Sequence, residues 1–392
     1  MIPKLHDLIH TLIGTPSVSC MDCDIDQSNL AVIGHLAAWC ETLGFKTEVL
    51  PIPGNPGKSN LIATLGDGPG GLVLSGHTDT VPYDDTGWHS DPFRLTERDG
   101  RFYGLGTADM KSFLALALEA VSPLHKETFH QPLILLATAD EETGMCGAKE
   151  LVKMGRPKAR YAVVGEPTDL RPVRLHKGIM MDAIYLRGQS GHSSNPALGN
   201  NALEGMHEMI SALLAWRQQL QATWQNPAFE VNVPTLNLGH IHGGDNPNRI
   251  CADCELHIDL RPLPGMSLEE LRGQLGDIAQ KVAHARGLEL EMRVLFDGIE
   301  AMETPPQSNI VQAAEQLTKH PAEAVAFGTE GPYLNSLGME TVVLGPGSID
   351  QAHQPNEFIS LDSLQPTLGI LTQLIHRFCL TPQPANPAPV IS

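Results

Sequence analysis

The 392-residue sequence has no apolar run approaching the roughly 20 residues that a membrane-spanning helix needs. Positive charge is also scarce: 26 Lys and Arg stand against 45 Asp and Glu, a formal net charge of −19. Such an acidic chain repels nucleic acids and anionic membranes, which argues against both as partners. The first residues, Met1 to His6, lack the apolar segment of a secretion signal, so we expect a cytoplasmic protein.

Cysteine is infrequent, and its 7 residues are an odd number without a secretion signal, so we expect no disulfide framework. The pairs Cys20/Cys23 and Cys251/Cys254 raise the alternative of a four-cysteine zinc site. The second pair lies in an alternating, strand-like pattern, where positions i and i+3 face opposite sides. Because that geometry is poor for chelation, we expect ordinary thiols.

The apolar pattern predicts an α/β fold, and the chain length favours two domains. Strand-like apolar runs alternate with helical periodicity over residues 1–176 and again over 297–380, which is typical of a mostly parallel sheet. The intervening segment 177–296 has the order β-α-β-β-α-β of a split βαβ, or ferredoxin-like, domain. We therefore expect an inserted second domain, followed at 381–392 by a Pro-rich, disordered tail.

Chemically active residues follow several predicted strands, where the functional sites of open α/β sheets lie. His77 and Asp79 come after the apolar run 71–75 and point to the same side of an extended chain, so that one can bind a metal while the other orients the imidazole. Asp109 follows a glycine-rich turn at the start of the predicted helix 111–121. Its alternative role is that of a helix N-cap.

Three acidic residues, Asp140 to Glu142, follow the fully apolar run 133–138. Like charges crowded at a strand end cost free energy unless a cation neutralises them, although a solvated acidic loop is the alternative. Adjacent glutamates also allow a division of labour, in which one binds a metal and its neighbour takes a proton from water.

Glu166 and His353 complete the set, each after another predicted strand. Any one of these motifs alone is weak evidence. Together, five ligand-bearing loops in one α/β pattern predict a metal centre, and the His, Asp and Glu donors suit zinc, cobalt or manganese.

The motifs Gly76-His-Thr-Asp-Thr-Val-Pro82, Gly104-Leu-Gly-Thr-Ala-Asp-Met-Lys111, Asp140-Glu-Glu-Thr-Gly144, Gly165-Glu-Pro167, Gly191-His-Ser-Ser194 and Ala352-His353 together resemble the ordered motif set of the M20 metallopeptidase family. The resemblance implies an amide-bond hydrolase with two divalent metal ions, zinc or cobalt. It implies that His77, Asp109 and Glu166 hold one ion, and that Asp109, Glu142 and His353 hold the other, with Asp109 as the bridge.

The same resemblance assigns the remaining roles. Glu141 is implied to be the general base, Asp79 to support His77, and His192 to stabilise the oxyanion, often from a partner subunit. The inserted domain is implied to serve as a lid and to form a homodimer. The family often has a cis peptide bond after the bridging Asp109.

The substrate is less determined by the sequence. Segments 15–20, 328–333 and 345–355 most resemble the family members that deacetylate N2-acetyl-L-ornithine in arginine biosynthesis. Glu330 is then a candidate for binding the ornithine ammonium, or else a loop acid. Candidates for the α-carboxylate are Asn246, Arg249 and Arg261, since Arg pairs with carboxylates in a bidentate manner; strand-edge salt bridges are their alternative.

Three other functions stay open. One is another N-acyl-amino-acid hydrolase of the family, such as a succinyl-diaminopimelate desuccinylase. A second is a non-catalytic metal-binding relative, which the Glu141–Glu142 pair disfavours because a binder needs no base. The third is a nucleic-acid module with a cysteine zinc site, which the net charge and the strand geometry disfavour.

Overall fold

The computed structural model describes residues 1–83 and 86–382, so the predicted disordered tail lies outside the described residues from 383 onward. The chain forms two compact units. Unit 1 comprises 1–174, 304–323 and the segment from 329 onward, and unit 2 comprises 175–303 and 324–328. Among the described residues, no helix combines the length and the apolar character that crossing a membrane requires.

The helices and strands are numbered here in chain order. The helices are α1 (Leu5–Ile13), α2 (Leu30–Thr42), α3 (Lys111–Val121), α4 (Cys146–Met154), α5 (Ala202–Thr223), α6 (Leu268–Arg286), α7 (Asn309–Thr318), α8 (Gly331–Ser336) and α9 (Leu361–Ile375). The strands are β1 (Lys46–Ile52), β2 (Asn55–Leu65), β3 (Leu72–His77), β4 (Thr96–Arg98), β5 (Arg101–Tyr103), β6 (Leu133–Thr138), β7 (Tyr161–Pro167), β8 (Val173–His176), β9 (Ile179–Arg187), β10 (Thr235–Gly243), β11 (Asp253–Arg261), β12 (Glu289–Ile299), β13 (Met302–Glu303), β14 (Glu323–Val325), β15 (Glu340–Gly345) and β16 (Phe358–Ser360).

Unit 1 is built on a mixed sheet whose centre is parallel. Strands β6, β3, β7 and β15 lie side by side in this order and pair in parallel. β3, β6 and β7 are buried along their whole length, as expected for strands covered on both faces. The α/β class with a mostly parallel sheet is thus confirmed. The antiparallel edge formed by β2 and β1 next to β6 was not predicted.

Helix α3 has the predicted bounds and lies in the core of unit 1. All of its residues except Glu119 are buried, and it packs against α1, α9 and β3. The contact is close because β7 has a glycine there: a Cβ at Gly165 would lie 2.0 Å from the ring of Phe113. This packing fixes the start of α3, and with it Asp109, beside the ends of the central strands.

Unit 2 has the predicted order β9-α5-β10-β11-α6-β12. Its sheet order is β10-β11-β9-β12, with every neighbouring pair antiparallel, which is the ferredoxin-like arrangement. Leu256, Ile258 and Leu260 of β11 join α5 and α6 in the core, so the alternating residues point to the opposite face. β10 has a bulge at Gly239, because Leu238 pairs with Ile258 but His240 pairs with the next residue along, His257.

Candidate metal centre

Three predicted ligands meet where the parallel strands of unit 1 end. His77 is the last residue of β3, Glu166 lies near the end of the adjacent β7, and Asp109 precedes α3. All three side chains are buried, and one ligand atom from each lies within 4.8 Å of the others. The Nε2 atom of His77 is 3.0 Å from Asp109 Oδ1 and 3.9 Å from Glu166 Oε2.

A second group shares Asp109 with the first. It contains Asp109, Glu142 and His353, again with ligand atoms within 4.8 Å of one another. The Nε2 atom of His353 is 3.0 Å from Glu142 Oε2 and 3.6 Å from Asp109 Oδ2. Asp109 therefore turns one carboxylate oxygen towards each histidine, which is the arrangement that a carboxylate shared by two cations adopts.

The charges of these side chains are mutually unfavourable without a cation. Burial and the charge of Asp109 raise the pKa of Glu166 well above its ordinary value, and they raise the pKa of Glu142 as well. Burial would lower the pKa of His77, but the hydrogen bond to Asp109 and the nearby carboxylates outweigh it and raise that pKa. Moreover, Glu166 Oε1 is buried without a hydrogen-bond partner among the described residues. Divalent cations would both neutralise the carboxylates and pair this oxygen, so the donor set fits them.

The turn after β6 presents the predicted base. Asp140 has a left-handed backbone conformation, with φ of 54°. Its carboxylate Oδ1 lies 2.6 Å from the buried Lys58 Nζ and accepts a hydrogen bond from the Ser19 hydroxyl at 3.0 Å. The adjacent Glu141 is half-buried. Burial, together with the negative charge of Glu166, raises the pKa of Glu141 well above its ordinary value, which strengthens this carboxylate as a proton acceptor.

Asp79 contacts His77 differently from the expectation. The Nδ1 atom of His77 is 3.0 Å from the backbone carbonyl oxygen of Asp79, whereas the nearest carboxylate oxygen is 3.8 Å away. The carbonyl thus orients the imidazole and leaves Nε2 facing Asp109. The Asp79 carboxylate instead accepts the backbone N–H of Glu142 at 3.1 Å, and so holds the turn that carries Glu141.

Glu357 was not singled out by the sequence, although it anchors the Asp109 loop. Its Oε1 accepts the backbone N–H groups of Ala108 at 2.7 Å and Asp109 at 3.0 Å, and its Oε2 accepts that of Gly106 at 3.0 Å. Burial raises the pKa of Glu357 to about 8, against the opposing effect of these N–H groups. Glu357 and Asp109 are 248 positions apart along the chain, so residue spacing gave no signal of this contact. The peptide bond between Asp109 and Met110 is cis.

Glu330 is buried beneath the strand ends. Its two carboxylate oxygens accept hydrogen bonds from the hydroxyl groups of Ser75, on β3, and Thr138, on β6. Both oxygens therefore already have hydroxyl donors, and the side chain joins two neighbouring strands. The role of Glu330 in binding the substrate ammonium stays a prediction.

The remaining predicted residues belong to unit 2. His192 forms an isolated β-bridge with Arg249, and Asn246 lies in the same loop as Arg249. Arg249 is exposed and its Nη1 is 2.5 Å from Asp245 Oδ2. Arg261 is the last residue of β11, whereas the loop that contains Arg249 precedes its first residue, Asp253. At about 3.3 Å per residue, the strand is roughly 25 Å long. Arg261 pairs instead with Asp259, at 2.8 Å. The structure thus brings His192, Asn246 and Arg249 together, but not Arg261.

Residues 73–377 match the model of peptidase family M20/M25/M40. The chain is 49% identical over 378 residues to an acetylornithine deacetylase from Pectobacterium carotovorum subsp. carotovorum (strain PC1), covering 96% of this chain and 98% of that protein. It is also 49% identical to the acetylornithine deacetylase of Edwardsiella ictaluri (strain 93-146), with the same coverage.

Solved structures share the fold at low sequence identity. A tripeptidase from Staphylococcus aureus superposes with a TM-score of 0.73 at 22% identity, covering 95% of this chain and 96% of that one. A dinuclear metal-binding M20 peptidase from Bacillus subtilis superposes with a TM-score of 0.66 at 14% identity, covering 94% of this chain and 96% of that one.

Proposed function

The chain belongs to peptidase family M20/M25/M40, and from this premise we propose that it hydrolyses the amide bond of N2-acetyl-L-ornithine to give ornithine and acetate, as a step of arginine biosynthesis. The observation that carries the hydrolytic part is the shared carboxylate of Asp109, which faces His77 with one oxygen and His353 with the other. The acetylornithine part is supported by the 49% identical relatives.

The metal centre is part of the proposal. His77, Asp109 and Glu166 would hold one divalent ion, and Asp109, Glu142 and His353 the other. Ions held by these residues would supply Lewis-acid chemistry, polarising the acyl carbonyl and lowering the pKa of water towards about 7. Zinc or cobalt suits this mixture of imidazole and carboxylate donors.

Glu141 is the proposed general base. It takes the proton of the attacking water and later gives it to the departing amine. Two features support this role. Its pKa is raised by burial and by Glu166, and its position is held through the hydrogen bond between the Glu142 N–H and Asp79.

His192 is the proposed donor to the oxyanion. The N–H of Ser194 donates to His192 Nδ1 at 3.2 Å, which occupies Nδ1 as an acceptor and leaves Nε2 available to donate. That nitrogen is then a hydrogen-bond donor, as oxyanion stabilisation requires. Asn246 and Arg249, in the neighbouring loop, are the better supported candidates for the substrate α-carboxylate.

Three further parts of the proposal rest on the sequence and the resemblance: cytoplasmic location, a homodimer formed through unit 2, and a lid function of unit 2. Light scattering of the purified protein tests the dimer. If the protein is a monomer at micromolar concentration, both the homodimer and the action of His192 from a partner subunit are contradicted.

A substrate panel tests the function. The chelated protein is reloaded with Zn²⁺ or Co²⁺ and given N2-acetyl-L-ornithine, N-succinyl-diaminopimelate and simple N-acetyl amino acids. We expect metal-dependent release of ornithine at the highest kcat/KM of the panel. Preference for the succinyl substrate would overturn the specificity, and metal binding without turnover of any substrate would favour the non-catalytic alternative.

A further inference from the structure

A second cluster of metal-binding side chains lies on the sheet of unit 2. It contains His240 of β10 and Glu255 and His257 of β11, and one ligand atom of each lies within 4.8 Å of the others. The Nε2 atom of His240 is 3.1 Å from Glu255 Oε1, and the rings of His240 and His257 have centroids 4.6 Å apart. None of these residues belongs to the metal centre of unit 1.

The bulge in β10 places the two histidines together. Without the extra residue, Gly239 would stand opposite His257; with it, His240 does. Directly opposed residues of antiparallel strands point to the same face, and Glu255, two positions before His257, points there too. Bulges re-aim side chains in this way at functional sites.

The buried Nε2 atom of His257 distinguishes a metal site from a surface ion pair. An ordinary ion pair accounts for His240 and Glu255. It does not account for His257 Nε2, which is buried and has no hydrogen-bond partner within residues 1–83 and 86–382. A buried polar nitrogen without a partner is costly, and a metal ion would supply the missing interaction.

We propose that His240, Glu255 and His257 bind a zinc ion that cross-links β10 to β11. Two imidazoles and one carboxylate are a common zinc donor set that leaves one position for water. With bonds of about 2.0–2.1 Å and tetrahedral angles, neighbouring ligand atoms are about 3.4 Å apart. The His240–Glu255 separation of 3.1 Å already approaches this value. Because β10 is an edge strand of this sheet, the ion fastens that edge.

Zinc titration of the metal-stripped full chain tests the proposal. Bound equivalents are measured by competition with a chromophoric chelator, for the wild type, for His240→Ala/His257→Ala, and for the control His207→Ala/His284→Ala. The control removes two exposed histidines of α5 and α6. We expect the first variant to bind one equivalent fewer than the wild type and the control to match the wild type. The test is the difference in bound zinc between the variant and the wild type, and not the total number of equivalents. It therefore remains valid even if the metal centre of unit 1 holds fewer ions than proposed.

A second variant protects the test against misfolding. Glu255→Gln keeps the side-chain shape but removes the ligand charge, and we expect its affinity for that equivalent to fall at least tenfold while its circular dichroism and deacetylase turnover stay unchanged. If both variants bind as many equivalents as the wild type with unchanged affinity, the site does not exist.

Discussion

Replacing Lys58 by Met should destabilise unit 1 and impair catalysis together. Lys58 is 1% exposed, and its Nζ lies 2.9 Å from Asp26 Oδ1 and 2.6 Å from Asp140 Oδ1. Removing one partner from a buried ion pair leaves an uncompensated charge, which costs about 3–5 kcal/mol. Asp26 is a quarter exposed and can regain water, so we expect a value near the lower end, about 3 kcal/mol.

The catalytic effect follows from the position of Asp140, which directly precedes Glu141. Without Lys58, the Asp140 carboxylate turns towards water and the left-handed turn loosens, so kcat should fall by more than tenfold while metal content is kept. The control is Lys153→Met, because that lysine is 72% exposed and its pair with Glu150 is a surface contact. Such pairs contribute about 0–1 kcal/mol.

A double substitution separates charge from packing. Lys58→Met/Asp140→Asn removes the uncompensated charge, so it should be more stable than Lys58→Met alone by about 1–2 kcal/mol. Denaturant unfolding of the full chain, followed by a signal from unit 1, measures these differences. A stabilising buried ion pair at Lys58 is contradicted if Lys58→Met unfolds within 1 kcal/mol of the Lys153→Met control (about the ceiling for a surface pair), or if the double variant is less stable than the single one.

Three other predictions concern the base, the Asp109 loop and acid stability. Glu141→Gln should bind metal normally yet lose several orders of magnitude in kcat; near-normal turnover in a steady-state assay would remove its role as base. Glu357→Gln cannot accept the Gly106 N–H and loses one hydrogen bond of about 1 kcal/mol, so metal affinity measured by titration should fall by up to about fivefold, and an unchanged affinity would contradict the anchoring role. Burial lowers the pKa of His176 to about 4, so between about pH 4 and 6.5 the unfolded chain binds a proton at this residue that the folded chain does not. The free energy of unfolding therefore has its full value above about pH 6.5 and falls as the pH drops towards 4. At pH 5 the loss is about 2 kcal/mol. His176→Phe should lack this loss in unfolding curves at pH 5 and 7.5, and an equal loss in both proteins would assign it to other groups.

Three of the candidate ligands were accessible to sequence reasoning because they follow apolar strands: His77 ends β3, Glu142 follows β6, and Glu166 lies near the end of β7. In a parallel sheet the carboxyl ends of the strands share one edge, so His77, Glu142 and Glu166 had to lie near one another once β3, β6 and β7 were recognised. Asp109 could be placed because the bounds of α3 were predicted correctly. The sequence could not predict which atom of Asp79 contacts His77. Whether it is the carbonyl or the carboxylate depends on backbone torsions that residue spacing does not specify.

Other features depended on pairings that are distant in sequence. The antiparallel edge of β1 and β2 follows from a hairpin with an irregular register, which apolar periodicity alone does not distinguish from a parallel strand. The partners of Glu330 lie 255 and 192 positions away along the chain. The opposition of His240 and His257 is created by a single bulge, and a one-residue shift in register reverses which face a side chain occupies.

The shared position of Asp109 also has a consequence for biosynthesis. Its first partners, His77 and Glu166, leave the ribosome early, whereas His353 follows Glu166 by 187 residues. At about 5–20 residues per second, that gap lasts roughly 10–40 s. During this interval β7 still lacks its parallel neighbour β15, and only one of the two ligand triads can be complete. Under the proposed two-ion centre, a nascent chain could therefore bind one ion first, while the second ion would await the segment that contains His353.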